Sequence, residues 1–114
     1  MALRNLIKNI PLSVYDAADL AGHYDRVNPE GLPESCFMII ITNGSDKNIF
    51  VSTDGIIDHE YILAGQASPL KGIDFFTENG YRCQWRKQTI YYIRSLEGAG
   101  EGTITLSGYY QPVD

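Results

Sequence analysis

Four side chains that could do chemistry stand within seven positions of one another in "STDGIIDHEYILAG", residues 52–65: Asp54, Asp58, His59 and Glu60, beside the turn glycine Gly55. Carboxylates and an imidazole so close together suit a metal centre, an acid–base pair, or the polar rim of a turn. A metal centre needs three or four ligands converging on one point. Asp58 and His59 are adjacent, so on a strand they point to opposite faces. The second histidine, His23, is distant in sequence, and no His-x-His or His-x-x-x-His spacing exists. A calcium loop wants acids at alternating positions and a terminal Glu, which this stretch lacks. The preferred reading is structural: Asp54, Gly55, Asp58 and His59 make a hairpin turn and its exit, with both aspartates bonding nearby backbone amides. A metal-dependent enzyme and a partner contact at the same residues stay open as rivals.

Other chemical patterns are weaker. "GAGEG", Gly98 to Gly102, has the glycines of a phosphate cradle but no following Lys and a strand instead of a helix after it, so it reads as a loop. Ser52, Ser95, Ser107 and the two cysteines sit in no nucleophile-elbow pattern, and neither histidine has a partner motif. No catalytic, cofactor-binding or metal-ligating residue is assigned, and the expectation is a protein that is not an enzyme and carries no cofactor.

The elements that position these residues are β. "CFMIIITNGS" predicts a central strand buried on both faces that ends in an exposed Asn43-Gly44 turn. "NIFVSTDG" alternates, and Asp54-Gly55 predicts a two-residue hairpin turn leading into "EYILAG". "KGIDFFTENG" is a further strand, and "TIYYIRSL" with "GTITLSGYY" reads as a last hairpin. In the N-terminal third, "SVYDA" and "GHYDRV" are read as two short strands, because Gly22 would cost a helix about 1 kcal/mol. "NPEGLPE" connects them to the rest in extended form. Eight strands with turn signals every 8–14 residues predict an all-β chain: a single β-sandwich, jelly-roll-like, over residues 13–114, with a short N-terminal arm over 1–12.

The composition fits one domain. The chain has 114 residues and a formal charge of −5, long enough for a core without staples and wrong in sign for non-specific nucleic-acid binding. Arg4 and Lys8, with no acid beside them, make the first twelve residues +2 and leave −7 on the remainder. A cationic arm on an acidic body could rest on an acidic neighbour, a second copy included. Cys36 and Cys83 are too few for a disulfide framework. No secretory signal is visible, and no run approaches the ~20 apolar residues of a membrane span. Asn43-Gly44-Ser45 matches a glycosylation pattern and reads only as an exposed turn.

Eight tyrosines add a surface argument. Tyr91-Tyr92 and Tyr109-Tyr110 each put one ring inward and one outward on their strands. The outward rings are candidate contacts, or they brace the sheet. Trp85, within the basic "YRCQWRK", is a further candidate contact or a cap on the core.

The run "IIITNGSDKNIFVSTDGIIDHEYILAG", followed by "TIYYIRSLEGAGEGTITLSGYYQP" and preceded by "VYDAADLAGHYDRVNPEGLPESCF", resembles a family of small tailed-bacteriophage virion proteins. Ser-x-Asp-Gly-x-x-Asp-His and the closing Gly-Tyr-Tyr-Gln are its most specific parts. Arg94-Ser95 departs from a Lys-Gly pair usual there, and "YRCQWRKQ" is unusually basic. The resemblance implies a structural component of the virion, assembled in the host bacterial cytoplasm, whose partners are the major capsid protein or neck and tail proteins. The expected role is a capsid decoration or cement protein in a symmetric homo-oligomeric assembly, with a neck or tail ring subunit as the alternative and a carbohydrate-binding module as a third. Arg4, Lys8, Trp85, Tyr91, Tyr92, Tyr109 and Tyr110 are the expected contacts, with neither nucleic acid nor membrane among the partners.

Overall fold

The computed structural model describes residues 7–71 and 84–111. Apart from a single 3-10 turn, Ala17–Asp19, every regular element there is a strand: β1 Lys8–Asn9, β2 Ser13–Asp16, β3 Asp25–Arg26, β4 Met38–Ser45, β5 Ile49–Ser52, β6 Glu60–Ile62, β7 Ala67–Lys71, β8 Tyr92–Arg94 and β9 Gly102–Tyr110. All pairings are antiparallel. One sheet runs β1-β9-β4-β7, with β2 also on β9, and the other runs β3-β8-β5-β6.

The pairings β2·β9, β3·β8, β4·β7 and β5·β6 are those of one long ribbon doubled back at the β5–β6 hairpin. Rolling that ribbon up adds β4·β9 and β5·β8. The result is a jelly roll, which buries both inner faces of a ribbon that would otherwise lie open to water. Ile39, Ile41, Ile104 and Leu106 point in from the first sheet, and Ile49, Val51, Ile62 and Ile93 from the second. Leu32, Cys36 and Tyr91 close one end of this core.

Several expectations need correction. β4 is not buried on both faces: Ile39, Ile41, Asn43 and Ser45 face the core, while Thr42 and Gly44 are exposed. It also runs through Asn43-Gly44 to Ser45, because Asn43 is wholly buried and bonded within the core. The sequon is therefore closed to modification in the folded chain. The last two strands form no hairpin. β8 and β9 belong to opposite sheets, and the glycine-rich connection crosses between them, so that Ile93 from one sheet and Ile104 from the other are buried in one shared core. β7 escaped the sequence reading; its Pro69 is tolerable because β7 lies at a sheet edge. The strand expected over "KGIDFFTENG" lies, from Gly72 on, outside the described residues. The two short N-terminal strands appear where expected, as β2 and β3.

The described half of the N-terminal arm lies along the first sheet. Lys8 and Asn9 pair with Tyr110 and Tyr109, and Ile10 is buried, its N–H donated to the Gly108 carbonyl at 3.1 Å. Between the pairs Asn9–Tyr109 and Ser13–Leu106, three residues face two. The extra residue is a β-bulge at Pro11-Leu12. So residues 8–16 form one interrupted edge strand in which a proline and a bulge blunt the edge against pairing with another chain.

Candidate functional site

The loop between β5 and β6 spans seven residues, 53–59, instead of the two expected. Its polar groups explain the length. The Asp54 carboxylate accepts from the backbone N–H of Ile56 at 2.8 Å, of Ile57 at 3.1 Å, and from the Ser52 hydroxyl at 2.9 Å. Those backbone N–H bonds above all hold its pKa below the usual carboxylate range. The buried Ser52 Oγ also accepts from the N–H of Gly55 at 2.9 Å. Gly55, at φ 75°, lies on the Tyr92 ring, where a Cβ would meet ring carbons at 3.3 Å. His59 Nδ1 accepts from the Thr53 N–H at 3.1 Å, with Nε2 4.0 Å from Asp54.

Asp58 is held across the outer face of the second sheet. Its Oδ1 accepts from the Tyr24 hydroxyl at 2.6 Å and from Arg94 Nε at 3.0 Å, while Oδ2 accepts from Arg94 Nη2 at 2.5 Å. The Arg94 hydrogen bond holds the Asp58 pKa down, against the opposing effect of desolvation. The guanidinium in turn lies 5.2 Å from the Tyr24 ring centroid and 5.6 Å from that of Phe50, and Phe50 packs on Tyr61 with centroids 4.8 Å apart. A row Tyr24–Arg94–Phe50–Tyr61 therefore crosses β8, β5 and β6, with the loop strapped over it.

This arrangement fixes what the cluster can do. Asp58 accepts a bidentate guanidinium and a phenol, so three of the roughly four acceptor sites of its carboxylate are already occupied by neighbouring side chains. Asp54 Oδ1 is held by two backbone amides and the Ser52 hydroxyl, and Glu60 accepts from the Ser68 hydroxyl at 2.8 Å. Among the described residues no three His, Cys, Asp or Glu side chains are placed to hold a metal ion. Beside the exposed Asp54 and His59, the loop offers two large apolar side chains to solvent: Ile56 and Ile57 are 77% and 60% exposed. Sequence reasoning passed over this pair, although two isoleucines inside an Asp-Gly…Asp-His turn were the signal for it.

The other expected contacts scatter. Arg4 lies outside the described residues; Lys8 is exposed on β1. Tyr91 is wholly buried and so is no surface contact; its hydroxyl has no hydrogen-bond partner among the described residues. Burial pushes its pKa up. Tyr92 is half-buried under the loop. Trp85 packs edge-on against Tyr91, centroids 5.6 Å apart, and joins Cys36 in an isolated bridge. Tyr110 packs on the core and Tyr109 is half-buried beside Met38. Cys36 is a free, buried thiol pushed up to about 11 by burial; Cys83 lies outside the described residues.

Arg94, flagged only as a departure from a family pattern, is the partner of Asp58. Its neighbour Ser95 is buried and donates to the Asn48 carbonyl at 2.9 Å. No helix is long and apolar enough to cross a membrane among the described residues. Compared with protein-family models, curated proteins and solved structures, the chain matches none.

Proposed function

We propose that this chain is a structural subunit of a tailed-bacteriophage virion, in the first place a capsid decoration protein that docks through side-chain contacts. The observation that carries the reading is the 53–59 loop, which is pinned by hydrogen bonds to Asp54 and Asp58 and presents Ile56 and Ile57 outward. A loop held in one conformation before docking loses little entropy on binding, which suits a contact element and not a reaction centre. The jelly roll and the quoted sequence resemblance support the virion assignment, since double-sheet jelly rolls serve in viral shells, although they also serve in lectins.

Quantitative mass spectrometry of purified particles tests the proposal, with this chain measured against the major capsid protein. Copies on the order of hundreds are expected for a shell-wide decoration, and on the order of a dozen would reassign it to a neck or tail ring. Absence from the particle would overturn the virion reading.

A further inference from the structure

An asparagine followed by glycine readily loses its side-chain amide, because a residue without a Cβ leaves its backbone nitrogen free to reach the amide carbon. Such a pair, Asn43-Gly44, stands in β4, the strand that carries the eight-pair ladder to β9. The fold demands both residues. The Asn43 amide is wholly buried and uses its full bonding capacity. Nδ2 donates to the Lys47 carbonyl at 2.7 Å and the Ile62 carbonyl at 3.1 Å, while Oδ1 accepts from the Ser45 hydroxyl at 2.6 Å and the Ser45 N–H at 3.1 Å. Gly44 is set by close approach: a Cβ there would stand 2.8 Å from the Thr103 carbonyl oxygen of β9. A chemically labile pair is therefore built into the centre of the first sheet.

We propose that Asn43-Gly44 is a fold-gated modification site: the chain deamidates there only while it is unfolded, and the product is barred from the folded state. In this reaction the Gly44 backbone nitrogen attacks Asn43 Cγ. The new N–Cγ bond forms, the Cγ–Nδ2 bond breaks, and Nδ2 leaves as ammonia with the proton from the Gly44 nitrogen. Water then opens the cyclic imide at either carbonyl, giving aspartate or isoaspartate. Two features of the folded chain oppose ring closure. Turning the amide toward Gly44 breaks its bonds to Lys47, Ile62 and Ser45 inside the core. Gly44 is also fixed in the strand, paired with Thr103. The products fit no better. An aspartate at this position sets a buried, charged oxygen against the Lys47 and Ile62 carbonyls, where an N–H stood before. An isoaspartate lengthens the main chain and shifts Gly44 and Ser45 out of register with Thr103 and Gly102. Time spent unfolded thus becomes a covalent mark, and a marked chain is withdrawn from the folded pool.

Peptide mapping by mass spectrometry of the full chain, aged at one pH and temperature in buffer and in concentrated urea, tests the gate. Asn79-Gly80 is a second pair of the same type and serves as the reference for the chemistry in urea. There both pairs are expected to deamidate at comparable rates. In buffer the rate at position 43 is expected to fall at least about a thousandfold, following the small unfolded fraction of a stable domain. Through low urea concentrations it should rise in step with the unfolded fraction measured by circular dichroism. A smaller fall in buffer, or a rate indifferent to the unfolded fraction, would overturn the gate. Dilution of the urea-aged sample tests the exclusion, with compact and non-compact chains separated by size-exclusion chromatography and mapped again. Modification at position 43 is expected to be depleted at least about tenfold from the compact fraction, as an uncompensated buried charge demands. A smaller depletion would show that the fold accepts the product and would overturn the exclusion.

Discussion

The two sheets of this jelly roll are held together by different means. In the first, β4 and β9 run side by side through eight registered pairs, from Met38–Tyr109 to Ser45–Gly102, and the backbone ladder is enough. In the second, no pairing exceeds three residues. There the load passes to side chains on the outer face: Asp58 clamps Arg94 and Tyr24, Phe50 packs on Tyr61, and Gly55 lies on Tyr92. Short strands supply few ladder bonds, so cross-strand side-chain contacts become the unit of cohesion. The residues that look most like a reaction centre are thus the ones that replace missing backbone pairs.

The contrast can be broken in several ways. The core shared by both sheets should be the most sensitive. Ile41→Ala is expected to cost about 2–5 kcal/mol by urea unfolding, the usual range for a buried aliphatic side chain cut to a methyl. A loss below that range would mean the two sheets do not share one packed core.

Asn43 comes next. Its amide reaches from β4 to the carbonyls of Ile62 at 3.1 Å and Lys47 at 2.7 Å, tying the ladder-rich sheet to the ladder-poor one. Asn43→Ala should cost about 1–3 kcal/mol, because buried carbonyls lose their donor. A near-zero change in the same urea titration would show that the tie is dispensable.

The clamp sharpens the comparison through pH. The Asp58 carboxyl sits below its unfolded value near about 3.9, so its stabilisation is present above that pH and is lost as pH falls through the lower folded value. Melting temperatures of wild type and Asp58→Asn should therefore differ at neutral pH and converge in acid. Arg94→Ala should show non-additivity with Asp58→Asn in a double-mutant cycle. Additive effects would mean that the second sheet does not depend on the clamp.

Two smaller effects follow. Asp54→Ala should speed amide hydrogen exchange at Ile56 and Ile57, with little change at β4 or β9, because it removes acceptors used only inside the loop. Uniformly faster exchange would contradict a locally pinned loop. Tyr91→Phe removes a buried hydroxyl that has no partner among the described residues. It is expected to leave stability unchanged or raise it by up to about 1 kcal/mol, read as a small rise in melting temperature.

Much of the fold is legible in the residues alone. The alternation in "NIFVS", the β-branched run of "GTITLSGYY" and the broken N-terminal pattern mark strands that the structure contains, because a period of two follows from strand geometry wherever one face is buried. The structural character of Asp54 is legible for the same reason: its hydrogen bonds are within three residues, and an Asp beside a glycine turn bonds its own backbone.

What the sequence could not decide is which strands meet. The β8–β9 connection carries every local mark of a hairpin, yet its strands serve opposite sheets, because Ile93 and Ile104 are buried in a core that both sheets share and local turn chemistry cannot express that demand. Asp58 and Arg94 stand 36 positions apart, and Asn43 and Ile62 stand 19 apart. Neither partnership leaves a trace in spacing. The sequence determined the all-β character and most of the strands, since those follow from the chain's own periodicity. Only the rolled tertiary structure decided that "DGIIDHE" is a strap across a short-stranded sheet, since its meaning depends on an arginine and a tyrosine delivered by other turns of the ribbon.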